Sequence, residues 1–190
     1  MSYLRAELLK LWTLPSLRLT ALLTLASTAL LRWAAGEPGA LPLTYTRAGF
    51  LVLGVLAVSA EHEAGGQFRT TLLAMPRRLP LLTAKAVTLA AATLPIAAIA
   101  SLICGTDAAT IGYLTLTTLL SAAVTIVLRQ AVPAVLLLLG VYFIAGPLLR
   151  AHEDLRAWLP GDPGQLGTAL PVWTLAAGVV AAAFLRRRDA

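Results

Sequence analysis

The sequence predicts an all-α integral membrane protein: an N-terminal interfacial amphipathic helix plus six transmembrane helices, with both termini cytoplasmic. Composition is the first reason. Of 190 residues, 58% are hydrophobic and 13% charged, and the mean hydropathy is +0.81. A soluble domain must cover its surface with polar groups, and this chain has too few. Charge spacing is the second reason. Ala86 to Thr106, Ala108 to Leu128, Gln130 to Leu149 and Pro163 to Leu185 are uncharged runs of 21, 21, 20 and 23 residues. Each matches the roughly 20 residues that a helix needs to cross about 30 Å of hydrocarbon.

The elements follow in order within a single transmembrane domain, 1–190. Residues 2–14 are too few and too charged to span. Leu4, Leu8, Leu11 and Trp12 nevertheless share a helical face, with Arg5 and Lys10 off it, the pattern of a helix lying along the inner leaflet. A signal peptide is the competing reading, but no small-residue cleavage site follows cleanly. The spans 16–35 and 43–60 are the least regular. Only 13 uncharged residues separate Arg18 from Arg32, and again Arg47 from Glu61, about 20 Å of helix at about 1.5 Å per residue. Arg18 and Arg32 can snorkel to opposite interfaces, with Trp12 and Trp33 as aromatic anchors. Gly36, Pro38 and Pro42 mark a short turn, so these two helices are antiparallel neighbours. Further spans lie at 85–106, 108–128, 130–149 and 167–186, with polar segments at 61–84 and 150–166.

Basic residues set the orientation. With the N-terminus inside, the cytoplasm receives Arg5, Lys10, Arg18, Arg69, Arg77, Arg78, Lys85, Arg129, Arg186, Arg187 and Arg188, and the outside receives Arg32, Arg47, Arg150 and Arg156. Eleven against four obeys the positive-inside rule. The net charge of +6 then reads as a topology signal and an attraction to anionic inner-leaflet lipid. Nucleic acid is not an expected partner, because no basic run is interleaved with aromatics.

Catalytic and metal motifs are lacking. Lys10 and Lys85 are the only lysines and neither follows Gly, so no Gly-x-x-x-x-Gly-Lys-[Ser/Thr] phosphate cradle exists. His62 and His152 are isolated, and the lone Cys104 lies within a membrane run as a small apolar residue. Asp107, beside Gly105 and Thr106, reads as a turn residue rather than an intramembrane proton carrier. No enzyme activity, cofactor or metal is expected in this chain.

The polar segment is where soluble machinery can be met. Glu61 to Lys85 reads EHEAGGQFRTTLLAMPRRLPLLTAK, with six charges in 25 residues. Gly65 and Gly66 break the preceding helix. Phe68, Leu72, Leu73 and Met75 then give a short amphipathic segment flanked by Arg69, Arg77 and Arg78. The bland reading is a solvated loop whose arginines meet lipid headgroups.

This segment resembles the first cytoplasmic loop of ABC transporter permeases of the type-2 exporter class, in the short form common in high-GC bacteria. The matching residues are the acids Glu61 and Glu63, then Gly66-Gln67-Phe68-Arg69-Thr70-Thr71-Leu72, then Pro76-Arg77-Arg78, then Lys85. Glu7-Leu8-Leu9-Lys10-Leu11 is similar to the family's N-terminal amphipathic helix. Two departures stand out: His62 replaces the aromatic that often follows the acid, and the spacing leaves either Glu61 or Glu63 as the acid's equivalent. The resemblance implies a multi-pass permease of a bacterial cell membrane, coupled through 61–84 to a separate ABC ATP-binding subunit that carries ATP and magnesium. It also implies pairing with a second permease copy, as homodimer or heterodimer. The coupling residues are then Glu61, Glu63, Gly66, Phe68, Arg69, Thr70, Leu72, Pro76, Arg77 and Arg78.

Arg47, Thr115 and Thr118 are candidate path-lining residues. Arg47 either lines a path or snorkels to an interface, and the threonines either face a path or satisfy their own helix backbone. The alternatives are a non-transporting membrane assembly or immunity subunit with the same coupling loop, and a secondary transporter. The four long uncharged runs give ion coupling nothing to act through.

Overall fold

The computed structural model describes residues 14–36, 40–63, 78–149, 159 and 167–187. The expected interfacial helix, the centre of the 61–84 segment and the 150–166 loop apart from Leu159 lie outside these residues. Six helices and no strand occur among them: α1 Pro15–Ala35, α2 Ala40–Glu63, α3 Arg78–Cys104, α4 Ala108–Leu128, α5 Ala131–Leu149 and α6 Ala169–Arg187. Four contain stretches long and apolar enough to cross a membrane: Pro42–Ser59, Leu82–Cys104, Ala108–Leu128 and Ala131–Leu149, with mean hydropathies of 1.3, 2.1, 1.9 and 2.3. The apolar part of α6 is shorter, Ala169–Phe184, and α1 is diluted by Arg18 and Arg32.

Local chemistry explains where the helices start. Pro15, Pro42, Pro80, Pro133 and Pro171 each sit in the first turn of a helix, where the missing N–H would lack an intrahelical acceptor anyway. The helix without such a proline, α4, starts at Asp107, whose carboxylate accepts from the Thr110 N–H at 3.4 Å and the Thr110 hydroxyl at 3.3 Å. Asp107 is thus a helix N-cap in an exposed turn. Gly36 and Gly105 adopt φ of 72° and 67° just past α1 and α3, a conformation that glycine takes without steric cost. Helix α3 begins at Arg78, ahead of the membrane run expected to open at residue 85, because a helix need not stop where hydrocarbon stops.

Packing is inverted relative to a soluble bundle. On α1 the buried residues are Thr24 and Thr28, while Leu19, Leu22, Leu23 and Leu30 are exposed; α5 and α6 likewise turn Leu136, Ile144, Leu175 and Val179 outward. Exposed apolar surface on this scale requires an apolar surrounding. Helix α4 is central, packing against α2, α3, α5 and α6. It buries Thr110, Thr115, Thr117, Thr118, Ser121 and Thr125. Small residues allow this closeness: a methyl on Gly54 of α2 would collide with the Thr118 carbonyl and the Ser121 hydroxyl of α4, and one on Gly49 with the Thr24 side chain of α1. Helices α1 and α2 are also joined by the Thr28 and Thr46 hydroxyls, 2.8 Å apart.

Candidate functional site

Arg47 stands on α2, within the stretch Pro42–Ser59 that is apolar enough to cross a membrane, and its side chain is only 4% exposed. It does not snorkel. The guanidinium turns inward, where Nη1 donates to the Tyr113 hydroxyl of α4 at 3.3 Å and Nη2 to the Tyr142 carbonyl of α5 at 3.3 Å. Its central carbon lies 5.0 Å from the ring centroids of both Tyr142 and Phe143. Phe143 in turn stacks on Tyr45 of α2, with centroids 6.5 Å apart.

The backbone of α5 makes this arrangement available. Gly140–Ala145 is π-helical, the wider winding that inserts a residue into an α-helix and often marks functional sites. Here it places the consecutive rings of Tyr142 and Phe143 against one cation and offers it a main-chain carbonyl. The sequence predicts a single span over 130–149, and its uniform apolar run gives no sign of the π-helical turn. The contributing residues sit at similar depth. Arg47 and Tyr113 lie near the starts of α2 and α4, and Tyr142 near the end of α5, each roughly 10 Å or less from its helix end at about 1.5 Å per residue.

Electrostatically, this is a buried cation held without a described carboxylate. An ion taken from water into a protein interior costs several kcal/mol. Two charge-assisted bonds at about 1.5–3 kcal/mol and two ring contacts at about 0.5–2 kcal/mol offset a cost of that size. Two polar atoms remain: Arg47 Nε and the Tyr142 hydroxyl are buried with no hydrogen-bond partner among the described residues. A guanidinium carries hydrogen-bond donors and no acceptor, so the cluster can donate to an anionic or acceptor group.

Thr115 and Thr118 lie elsewhere, on buried faces of α4, with hydroxyls bonded to the Ile111 and Leu114 carbonyls of their own helix at 2.8 and 3.0 Å. Thr118 is fully enclosed within the single chain. Glu61 and Glu63 are in the last turn of α2, and Arg78 opens α3. Gly66, Phe68, Arg69, Thr70, Leu72, Pro76 and Arg77 fall outside the described residues. Sequence reasoning missed Tyr113, Tyr142 and Phe143. The signal was there, as polar-tipped and aromatic side chains inside otherwise aliphatic runs, but nothing in the sequence pointed three helices at one cation. Among the described residues no His, Cys, Asp and Glu cluster could hold a metal ion.

Comparison adds no relative to this geometry: no family model, no curated protein and no solved structure matches the chain.

Proposed function

We propose that this chain is the transmembrane permease subunit of an ATP-driven ABC exporter in a bacterial cell membrane. In this reading it crosses the bilayer six times with both termini inside, pairs with a second permease copy, and couples through residues 61–84 to a separate ATP-binding subunit. The observation that carries it is the composition of that segment. An acid-flanked glycine step, an amphipathic stretch from Phe68 to Met75 and a Pro-Arg-Arg close lie between two helices that have apolar spans. Lipid contact alone accounts for the arginines but not for the glycines or the apolar face.

The fold supplies a mechanical rationale. Helix α2 ends at Glu63 and α3 begins at Arg78, so the segment is attached to both, and both pack on the central α4. A push on the segment by a closing nucleotide-binding dimer is delivered to rigid helices rather than dissipated in loops. Arg47, wedged between α2, α4 and α5, stands where relative movement of these helices would alter its bonds.

The test is coexpression with an ABC ATP-binding subunit. The purified chain alone should not hydrolyse ATP, since it lacks a phosphate cradle, and it should copurify with the partner. Phe68→Ala should weaken retention more than Arg78→Ala, because losing a packed aromatic anchor costs about 2 kcal/mol or more and losing an exposed ion pair about 1 kcal/mol or less. Steady ATP hydrolysis by the isolated chain, or equal retention of both variants, would contradict the proposal.

A further inference from the structure

Hydropathy is blind to the π turn of α5, but a proline marks where that turn ends. Pro133 sits in the first turn of α5, whereas Pro147 lies in its interior. An interior proline supplies no N–H, and its ring crowds the carbonyl four residues earlier, here that of Phe143. Membrane helices absorb such a residue by a local π adjustment or through a group on a neighbouring helix. Both occur here. The Gly146 N–H donates to the Val141 carbonyl, five residues back rather than four. A side chain at 146 would crowd this turn, since a Cβ there would stand 3.1 Å from the same Val141 oxygen.

The consequence falls on the Tyr142 carbonyl. In an α winding its donor would be the Gly146 N–H, which is engaged with Val141. In a π winding its donor would come from residue 147, which is proline. The carbonyl therefore has no main-chain donor at either spacing. It belongs to a residue only 4% exposed, and an unserved carbonyl is costly where water does not reach. Its donor is Arg47 Nη2, 3.3 Å away on α2.

We propose that Pro147 is a positioning residue for Arg47: together with Gly146 it withholds both main-chain donors from the Tyr142 carbonyl and so reserves that carbonyl for the guanidinium. The dependence is mutual. Drawing α2 away from α5 leaves a buried carbonyl unserved and a buried cation short of one of its two bonds, so the two helices move as one body at this depth. The reservation rests on the winding of α5 and not on coupling to an ATPase. On the permease reading, it carries motion of α2, which ends at the 61–84 segment, into α5.

The test is solid-state NMR of the full chain in lipid bilayers, with carbon-13 at tyrosine carbonyls and nitrogen-15 at phenylalanine amides and arginine guanidinium groups. Tyr142-Phe143 is the one Tyr-Phe step in the sequence, so a single labelled peptide bond isolates the Tyr142 carbonyl. Wild type should show dipolar contact between that carbon and a guanidinium nitrogen. Pro147→Ala lets α5 wind as a regular helix, with Gly146 serving Tyr142, so this contact should be lost. Arg47→Met should move the Tyr142 carbonyl resonance as its donor disappears, and adding Pro147→Ala should move it back toward the hydrogen-bonded position. A proline that merely bends α5 would leave the guanidinium contact in place. Retention of that contact in Pro147→Ala, a resonance unmoved by Arg47→Met, or a double variant that resonates where Arg47→Met does overturns the assignment. Either single variant decides the matter if the other fails to fold.

Discussion

A guanidinium enclosed by tyrosine and phenylalanine rings is held by its shape as much as by its charge. Arg47 reaches two helices at once because its planar fork carries donors on separate nitrogens, and its flat face lies against Tyr142 and Phe143. Lysine would keep the desolvation cost and lose the fork. Arg47→Lys should therefore destabilise the chain by about 3–5 kcal/mol, the range for a buried charge deprived of partners, whereas the apolar Arg47→Met should cost less. Denaturant unfolding in detergent checks the order, and Arg47→Lys as stable as wild type would contradict it. Tyr113→Phe removes the acceptor of Nη1 and should cost about 1–3 kcal/mol, readable in the same titration. Arg47 was legible in the sequence as the charge inside a short apolar span. Its inward orientation was not, because burial depends on aromatic residues 66 and 95 positions away in the chain.

At the scale of elements, two glycines make opposite predictions about rescue. The atoms nearest a methyl at Gly49 all belong to the Thr24 side chain, whereas one at Gly54 also meets the Thr118 main-chain carbonyl. Each substitution to alanine should cost about 1–3 kcal/mol by overpacking. Thr24→Ala should restore part of the loss in Gly49→Ala, because it removes the two closest atoms, the hydroxyl and the methyl, and leaves only the Cβ at 2.9 Å. Ser121→Ala should not restore Gly54→Ala, since a backbone atom remains in contact. Thermal unfolding of the four single variants and two double variants separates these outcomes. The sequence located α4 between Asp107 and Arg129 because both charges stand at its ends. It gave α3 as a membrane span, 85–106, and the helix itself begins earlier, at Arg78, since Arg78 and Lys85 are compatible with a helix that outruns an apolar run. The π-helical turn of α5 had no counterpart in an apolar run that any helical winding could bury.

For the whole molecule, exposed leucines around buried threonines state the membrane environment more directly than composition does, because they say which face meets lipid. Orientation still rests on eleven inner against four outer basic residues. In a Cys104→Ala background, single cysteines at Gly39 and Gly161 should react with an impermeant thiol reagent on intact cells, and one at Ala64 should not. Labelling at Ala64 alone reverses the orientation. The architecture was legible because hydrophobic length is a one-dimensional property. The proposed coupling role rests on a short resemblance alone, since docking onto another protein leaves little trace in one chain's own packing.

Coupling is the central claim, and cross-linking from residue 68 addresses it most directly. A photo-reactive amino acid at Phe68, activated in native membranes, should form an adduct with a protein that carries the Gly-x-x-x-x-Gly-Lys-[Ser/Thr] cradle this chain lacks. The same group at Gly39, on the opposite side of the membrane in this account, should not. Adducts from Phe68 with lipid alone would contradict coupling and leave the segment as a lipid-binding loop.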